Sequence, residues 1–264
     1  MSRIRQRFQQ LSEKGEKALI AYVMAGDPDL SMTGQIVLEI EKAGADMIEL
    51  GVPFSDPVAD GPTIQKASER ALLQGITLQS VIERVSLIRK QTSIPILLMT
   101  YFNPIHAFGI EPFFKASKEA QIDGVIIPDL PLEEAKAFLV FSRRYRIDLI
   151  LLIAPTTPFD RMKKIARAAS GFIYYVALTG TTGAEIKETE SIVQQIQKLK
   201  SITKMPVATG FGISSVDEAK VISRLSDGII VGSMLVKIIA TASEDPSFLI
   251  QLAKQVMLLK EAIR

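Results

Sequence analysis

Cysteine and tryptophan are absent from this 264-residue chain, and histidine occurs once, as His106. Without thiols there can be no disulfide framework and no thiolate metal site. One imidazole leaves almost no material for a catalytic triad or a His-based metal centre, so no metal site is expected. His106 reads as a surface residue on a loop after Asn103-Pro104-Ile105 and is assigned no role. Acid–base chemistry falls mainly on Asp, Glu, Tyr or Lys. Long apolar runs are also missing: no stretch approaches the ~20 residues that would cross a bilayer. An excess of one charge is missing too, since 31 basic and 29 acidic residues leave a net charge of +2. That balance gives no reason to expect nucleic acid or an anionic membrane as the main partner. The first residues, M-S-R-I-R-Q-R-F, lack the apolar core of a signal peptide. They read as a short capping helix, and a cytoplasmic location is expected.

What the chain does contain is an alternation. Eight apolar runs, at residues 18–25, 45–52, 94–101, 124–127, 149–154, 172–177, 206–209 and 228–231, are each followed by a helical pattern. The repeat of about 25–30 residues suits a βα unit of a barrel. The runs are apolar throughout, as expected for parallel strands covered by helices. An open doubly wound sheet would use the same units. However, no glycine fingerprint follows the first strand, and no break in composition divides the chain. The expected fold is α/β: a single (β/α)8 TIM barrel over residues 1–264, with an extra N-terminal helix.

In such barrels the active site lies at the C-terminal ends of the strands. That rule singles out Glu49, Asn103, Asp129, Tyr174 and Tyr175, Gly210 to Gly212, and Gly232-Ser233. The stretch from Glu49 to Pro62, E-L-G-V-P-F-S-D-P-V-A-D-G-P, is the richest of them. Glu49 interrupts an apolar strand, where an inward-facing charge is costly unless paired or used. Asp56 and Asp60 follow on a loop stiffened by prolines, and Pro62 suits the first turn of a helix. A buried carboxyl has its pKa raised while a solvated neighbour stays ionised, which lets two acids divide acid and base roles. Gly180, Gly183, Gly212 and Gly232-Ser233 follow strands six to eight, where barrels often bind phosphate through backbone N–H groups. Strand alternation turns either Tyr174 or Tyr175 inward. Tyr22 and Phe211, near strand ends, could line an apolar pocket or pack. The residues alone describe a barrel enzyme acting on a phosphorylated small molecule, with aldol cleavage, isomerisation and cyclisation all open.

The motifs E-L-G-x-P-F-S-D-P (49–57) and A-D-G-P-x-I-Q (59–65) closely resemble the tryptophan synthase α subunit family. The similarity continues through A-G-D-P (25–28), Y-F-N-P-I (101–105), P-D-L-P (128–131), T-G-x-T-G (179–183), G-F-G-I (210–213) and V-G-S (231–233). The resemblance implies cleavage of indole-3-glycerol phosphate to indole and glyceraldehyde 3-phosphate. It implies that Glu49 transfers the proton, that Asp60 stabilises charge at the indole N–H, and that Tyr174 lies beside the reacting group. It also implies a phosphate site at Gly183, Phe211, Gly212, Gly232 and Ser233, with Tyr22 lining the indole pocket. No cofactor is implied on this chain; pyridoxal phosphate is expected on a separate β subunit, in an α2β2 hetero-tetramer. Asp56, Asn103, Pro104 and Asp129 would face that partner. One stretch departs from the family pattern: Ala177 and Thr181 stand where serine and valine are common. That departure leaves an alternative, a catalytically weak regulatory subunit that binds and activates the β subunit.

Overall fold

A computed structural model of the chain describes residues 1–176, 187–210, 213, 215–242 and 245–264, with the side chains of 187–191 excepted. The chain opens with α1 (Arg3–Glu13), β1 (Ala18–Met24), α2 (Leu30–Lys42) and β2 (Met47–Gly51). Next come α3 (Pro62–Leu73), α4 (Leu78–Ile88), β3 (Ile96–Met99), α5 (Phe102–Phe108), α6 (Ile110–Glu119) and β4 (Gly124–Ile126). Then follow α7 (Lys136–Tyr145), β5 (Asp148–Ile153), α8 (Phe159–Ala168), β6 (Ile173–Val176), α9 (Lys187–Ile202) and β7 (Val207–Gly210). The chain ends with α10 (Val216–Ser223), β8 (Gly228–Val231), α11 (Ser233–Ile239) and α12 (Phe248–Ala262). The strands pair in sequence order, and β8 closes on β1, so the expected (β/α)8 barrel is the observed fold. Among the described residues, no helix is long and apolar enough to cross a membrane.

Strand alternation divides the core in two. Ala18, Ile20, Met47, Leu97, Ile126, Ile150, Ala208 and Ile230 fill the barrel interior. The intervening residues, such as Leu19, Ile48, Leu98, Val125 and Leu149, pack outward against the helices. The extra N-terminal helix joins the inner cluster: Ile4, Phe8 and Leu11 plug the barrel floor, and the Phe8 ring meets Phe172 at 5.6 Å.

The same floor carries a repeated device. Asp46, Asp123 and Asp227 each precede or begin a strand, and each accepts the N–H that opens a neighbouring strand. These bonds run from Leu19 at 2.8 Å, Ile96 at 2.9 Å and Val207 at 2.9 Å. A cation meets each aspartate: Lys260 from α12, Arg89 with Arg3, and Lys200 from α9. Parallel strands begin with unpaired donors, and an aspartate supplies the missing acceptor.

One expectation needs correction. His106 does not lie on a loop; it sits on α5, stacked on Phe102 with ring centroids 5.4 Å apart. Pro104 occupies the first turn of α5, where no N–H is needed. Helix α7 starts at Lys136, after a turn held by Glu134 and Ala135 N–H bonds to Pro131 and Leu132.

Candidate active site

Three consecutive strands build one wall at the C-terminal end of the barrel. Register places Tyr22 of β1 beside Glu49 of β2, and Glu49 beside Leu97 of β3. Glu49 is completely buried, and among the described residues neither carboxyl oxygen has a hydrogen-bond partner. A buried, unpartnered carboxyl strongly disfavours ionisation. Burial first, then the charge of Asp60, raises its pKa from 4.5 to about 8.

Asp60 sits at the end of the loop between β2 and α3, and that loop is fixed at several points. Pro62 begins α3 at its first position, as expected, with Gly61 as its N-cap. Gln65 donates from α3 to the Asp60 carbonyl at 2.8 Å. Tyr101, just past the end of β3, accepts from the Ala59 N–H at 3.1 Å and donates to the Asp60 carboxylate. Burial pushes Asp60 up from 3.8 to about 6, while the Tyr101 hydrogen bond pulls it down. At neutral pH the pair is therefore asymmetric, with Glu49 mostly protonated and Asp60 mostly ionised.

Two tyrosines complete the wall. Tyr174 packs with the inner cluster, whereas Tyr175 packs outward, which resolves the ambiguity between them. A Cβ on Gly210 would collide with the Tyr174 hydroxyl, and one on Gly51 with the Tyr22 hydroxyl. Those glycines are the space the two rings occupy. Burial, together with Glu49 and Asp60, raises both phenol pKa values well above normal, so both remain neutral donors.

Gly232 caps α11 and Ser233 opens it, beside Tyr22, at the end of β8. Gly183, Phe211 and Gly212, and with them the departure at Ala177 and Thr181, lie outside the described residues. Asp56, Asn103 and Asp129 are exposed at the ends of β2, β3 and β4, and Pro104 is half-buried beside them. Asp129 accepts the Phe102 N–H at 2.9 Å and so also caps the turn into α5. Among the described residues, no cluster of His, Asp and Glu has the makings of a metal site.

Tyr101 had no assigned role in the sequence. It closes the apolar run of β3 and reads as one more strand hydrophobe. Counting every second residue inward from Leu97 and Met99 would have placed it at the strand end facing Asp60.

A carboxylic acid and a carboxylate in one buried wall, flanked by neutral phenols, can protonate a substrate carbon and stabilise the resulting cation. The sequence model of the family described as tryptophan synthase alpha chain matches residues 8–264. A tryptophan synthase alpha chain from Citrifermentans bemidjiense is 49% identical over 237 residues, which are 90% of this chain and 89% of that protein. The crystal structure of tryptophan synthase subunit alpha from Legionella pneumophila superposes with a TM-score of 0.92 at 35% identity, covering 100% of this chain and 98% of the other. A ligand-free crystal structure of tryptophan synthase from M. tuberculosis gives 0.89 at 30% identity, covering 100% and 99%.

Proposed function

The chain belongs to the tryptophan synthase alpha chain family, lyases that cleave indole-3-glycerol phosphate, and on that premise we propose how its residues divide the reaction. Glu49, neutral at pH 7, donates its proton to the indole C3 that carries the glycerol chain. Protonation there breaks the aromaticity of the five-membered ring and creates an indoleninium cation. The Asp60 carboxylate faces the ring N–H and stabilises that charge in a site of low dielectric. The Glu49 carboxylate just formed then accepts the proton of the adjacent glycerol hydroxyl. As that O–H bond breaks, the bond from C3 to the carbinol carbon breaks with it. Its electron pair returns to the ring, leaving indole and glyceraldehyde 3-phosphate, and Glu49 is again protonated.

Tyr174 donates beside the reacting hydroxyl, and Tyr22 lies against the indole. The phosphate is assigned to backbone donors at Gly183, Phe211, Gly212, Gly232 and Ser233. Family membership points to a tryptophan synthase β subunit as the partner that consumes the indole. An α2β2 assembly, docking through the rim of Asp56, Asn103, Pro104 and Asp129, is our reading of it. We place no cofactor on this chain, assign pyridoxal phosphate to the β subunit, and place the enzyme in the cytoplasm.

The observation that carries this reading is the fully buried, unpartnered Glu49 carboxyl beside Asp60. Glu49→Gln keeps the shape and removes the proton. Indole release from indole-3-glycerol phosphate, with β subunit present, should fall about 10²- to 10⁴-fold. An unchanged rate would place the acid elsewhere.

A further inference from the structure

The loop that carries Asp60 is gripped by α3 at two points, and only one of them touches Asp60 itself. The other is Ser68, which is buried to within 1%. Its hydroxyl accepts from the Phe54 N–H at 2.9 Å and donates to the Phe54 carbonyl at 2.9 Å. One side chain thus satisfies both backbone groups of a residue fourteen positions away. The Phe54 ring then lies against Tyr101, with centroids 5.3 Å apart. Tyr101 in turn holds Ala59 and the Asp60 carboxylate. Helix α3 has its own anchor: Arg70 grips buried Asp27, after β1, through two bonds of 2.8 and 2.7 Å.

We propose that Ser68 is a positioning residue for Asp60, acting through Phe54 and Tyr101. The proposal rests on the role given to Asp60 above. The Ser68 hydroxyl sets where Phe54 stands, Phe54 braces the Tyr101 ring, and Tyr101 aims and hydrogen-bonds the carboxylate. Misplacing a reacting group by an ångström can cost about 10²-fold in rate with little change in binding. Ser68→Ala should therefore lower kcat about tenfold or more, with KM moving about twofold at most. Ser68→Thr, which keeps the hydroxyl, should restore most of the loss.

The pH profile separates positioning from simple loosening. Groups facing Asp60 are Tyr22 on β1, Glu49 on β2, Tyr101 after β3 and Tyr174 on β6. The three phenols stay neutral, and Glu49 governs the high-pH side. The Tyr101 hydrogen bond lowers the Asp60 pKa, so weakening it moves the low-pH limb upward, toward neutrality. The substrate phosphate also titrates near 6, but it is common to every variant.

The experiment measures indole formation from indole-3-glycerol phosphate by the full chain with its β subunit. The variants are S68A, S68T, Y101F, D60N and S142A. Ser142 is a buried hydroxyl on α7 beside a cleft with Arg3 and Asp148 at the opposite end of the barrel, and controls for stability. Loss of kcat with a raised low-pH limb in S68A, rescue in S68T and an unmoved limb in S142A are the expected results. Should S68A fail to fold, Y101F must show the same limb shift. A limb unmoved in S68A, or in Y101F alone, overturns the positioning role. Wild-type turnover in D60N overturns the role of Asp60 and this proposal with it. An impaired D60N beside a wild-type S68A overturns the positioning alone.

Discussion

Glu49 and Asp60 are both carboxyls within one wall, and their environments alone separate them. Among the described residues nothing hydrogen-bonds the Glu49 carboxyl, whereas Asp60 has Tyr101. The rate should therefore fall as Asp60 gains a proton below about pH 6, and fall again as Glu49 loses its proton above about pH 8. A bell-shaped kcat/KM profile centred near neutrality is the expected result, and a flat profile from pH 6 to 9 contradicts the assignment. The same displacement has a cost in stability. The folded-state pKa of Glu49 lies above its unfolded value, so its contribution is fully present below about pH 4.5 and is lost as pH rises through about 8. Beyond that the wild type forgoes on the order of 5 kcal/mol. Glu49→Gln should thus be more stable than wild type at pH 9, and equal to it near pH 4.5, in urea titrations of the isolated chain. An inactive variant that is more stable is the signature of a residue kept for chemistry. Glu49 was legible in the sequence because a carboxyl there stands between Ile48 and Leu50, inside an apolar strand. The choice between Tyr174 and Tyr175 was not, because both are aromatic and the register to β7 decides it. The Ser68–Phe54–Tyr101 chain was invisible for another reason: its members are brought together by the fold across 14 and 47 positions.

At the scale of elements, the βα units were readable because buried parallel strands are apolar on both faces and end at proline or glycine. Helix α5 was missed because a proline inside a short segment looks like a stop, although its first-turn position makes it harmless. The floor aspartates were also silent, since aspartate before a strand resembles an ordinary turn residue. Their energetics distinguish them. The Lys260–Asp46 pair joins α12 to the β1–β2 seam, with both side chains less than a tenth exposed. Removing one partner strands a buried charge, which costs about 3–5 kcal/mol. Lys260→Met should lower unfolding stability by that amount and leave indole formation at 25 °C unchanged. Lys163→Met breaks an exposed pair on α8 and should cost less than about 1 kcal/mol. Equal midpoints for the two variants in urea would show that the floor pair is not a structural staple.

The molecule as a whole is polar along the barrel axis. Its floor is closed by α1 and by aspartate–cation pairs, while its open end carries Glu49, Asp60 and an exposed acidic rim. Asp56, Asn103 and Asp129 stand on that rim over three adjacent strands, β2 to β4, with Val58 80% exposed among them. A partner that docked there would sit against the loop holding Asp60, so binding and catalysis would share one segment of chain. Exposed rim charges steer association more than they hold a complex together. Asp56→Lys reverses one such charge, and the Asp56 carboxylate accepts from the neighbouring Ser55 hydroxyl at 2.6 Å. Folding stability should stay within about 0.5 kcal/mol of wild type. The association rate with the β subunit should fall about tenfold at low ionic strength, and the difference should shrink as salt screens it. Because the same loop carries Asp60, any change that the β subunit makes in indole release should weaken in parallel. Stopped-flow binding at two salt concentrations, together with indole release with and without the β subunit, checks both halves. Unchanged association at low salt would move the docking surface off this rim. Weakened association with wild-type indole release at saturating partner would keep the surface but uncouple it from Asp60.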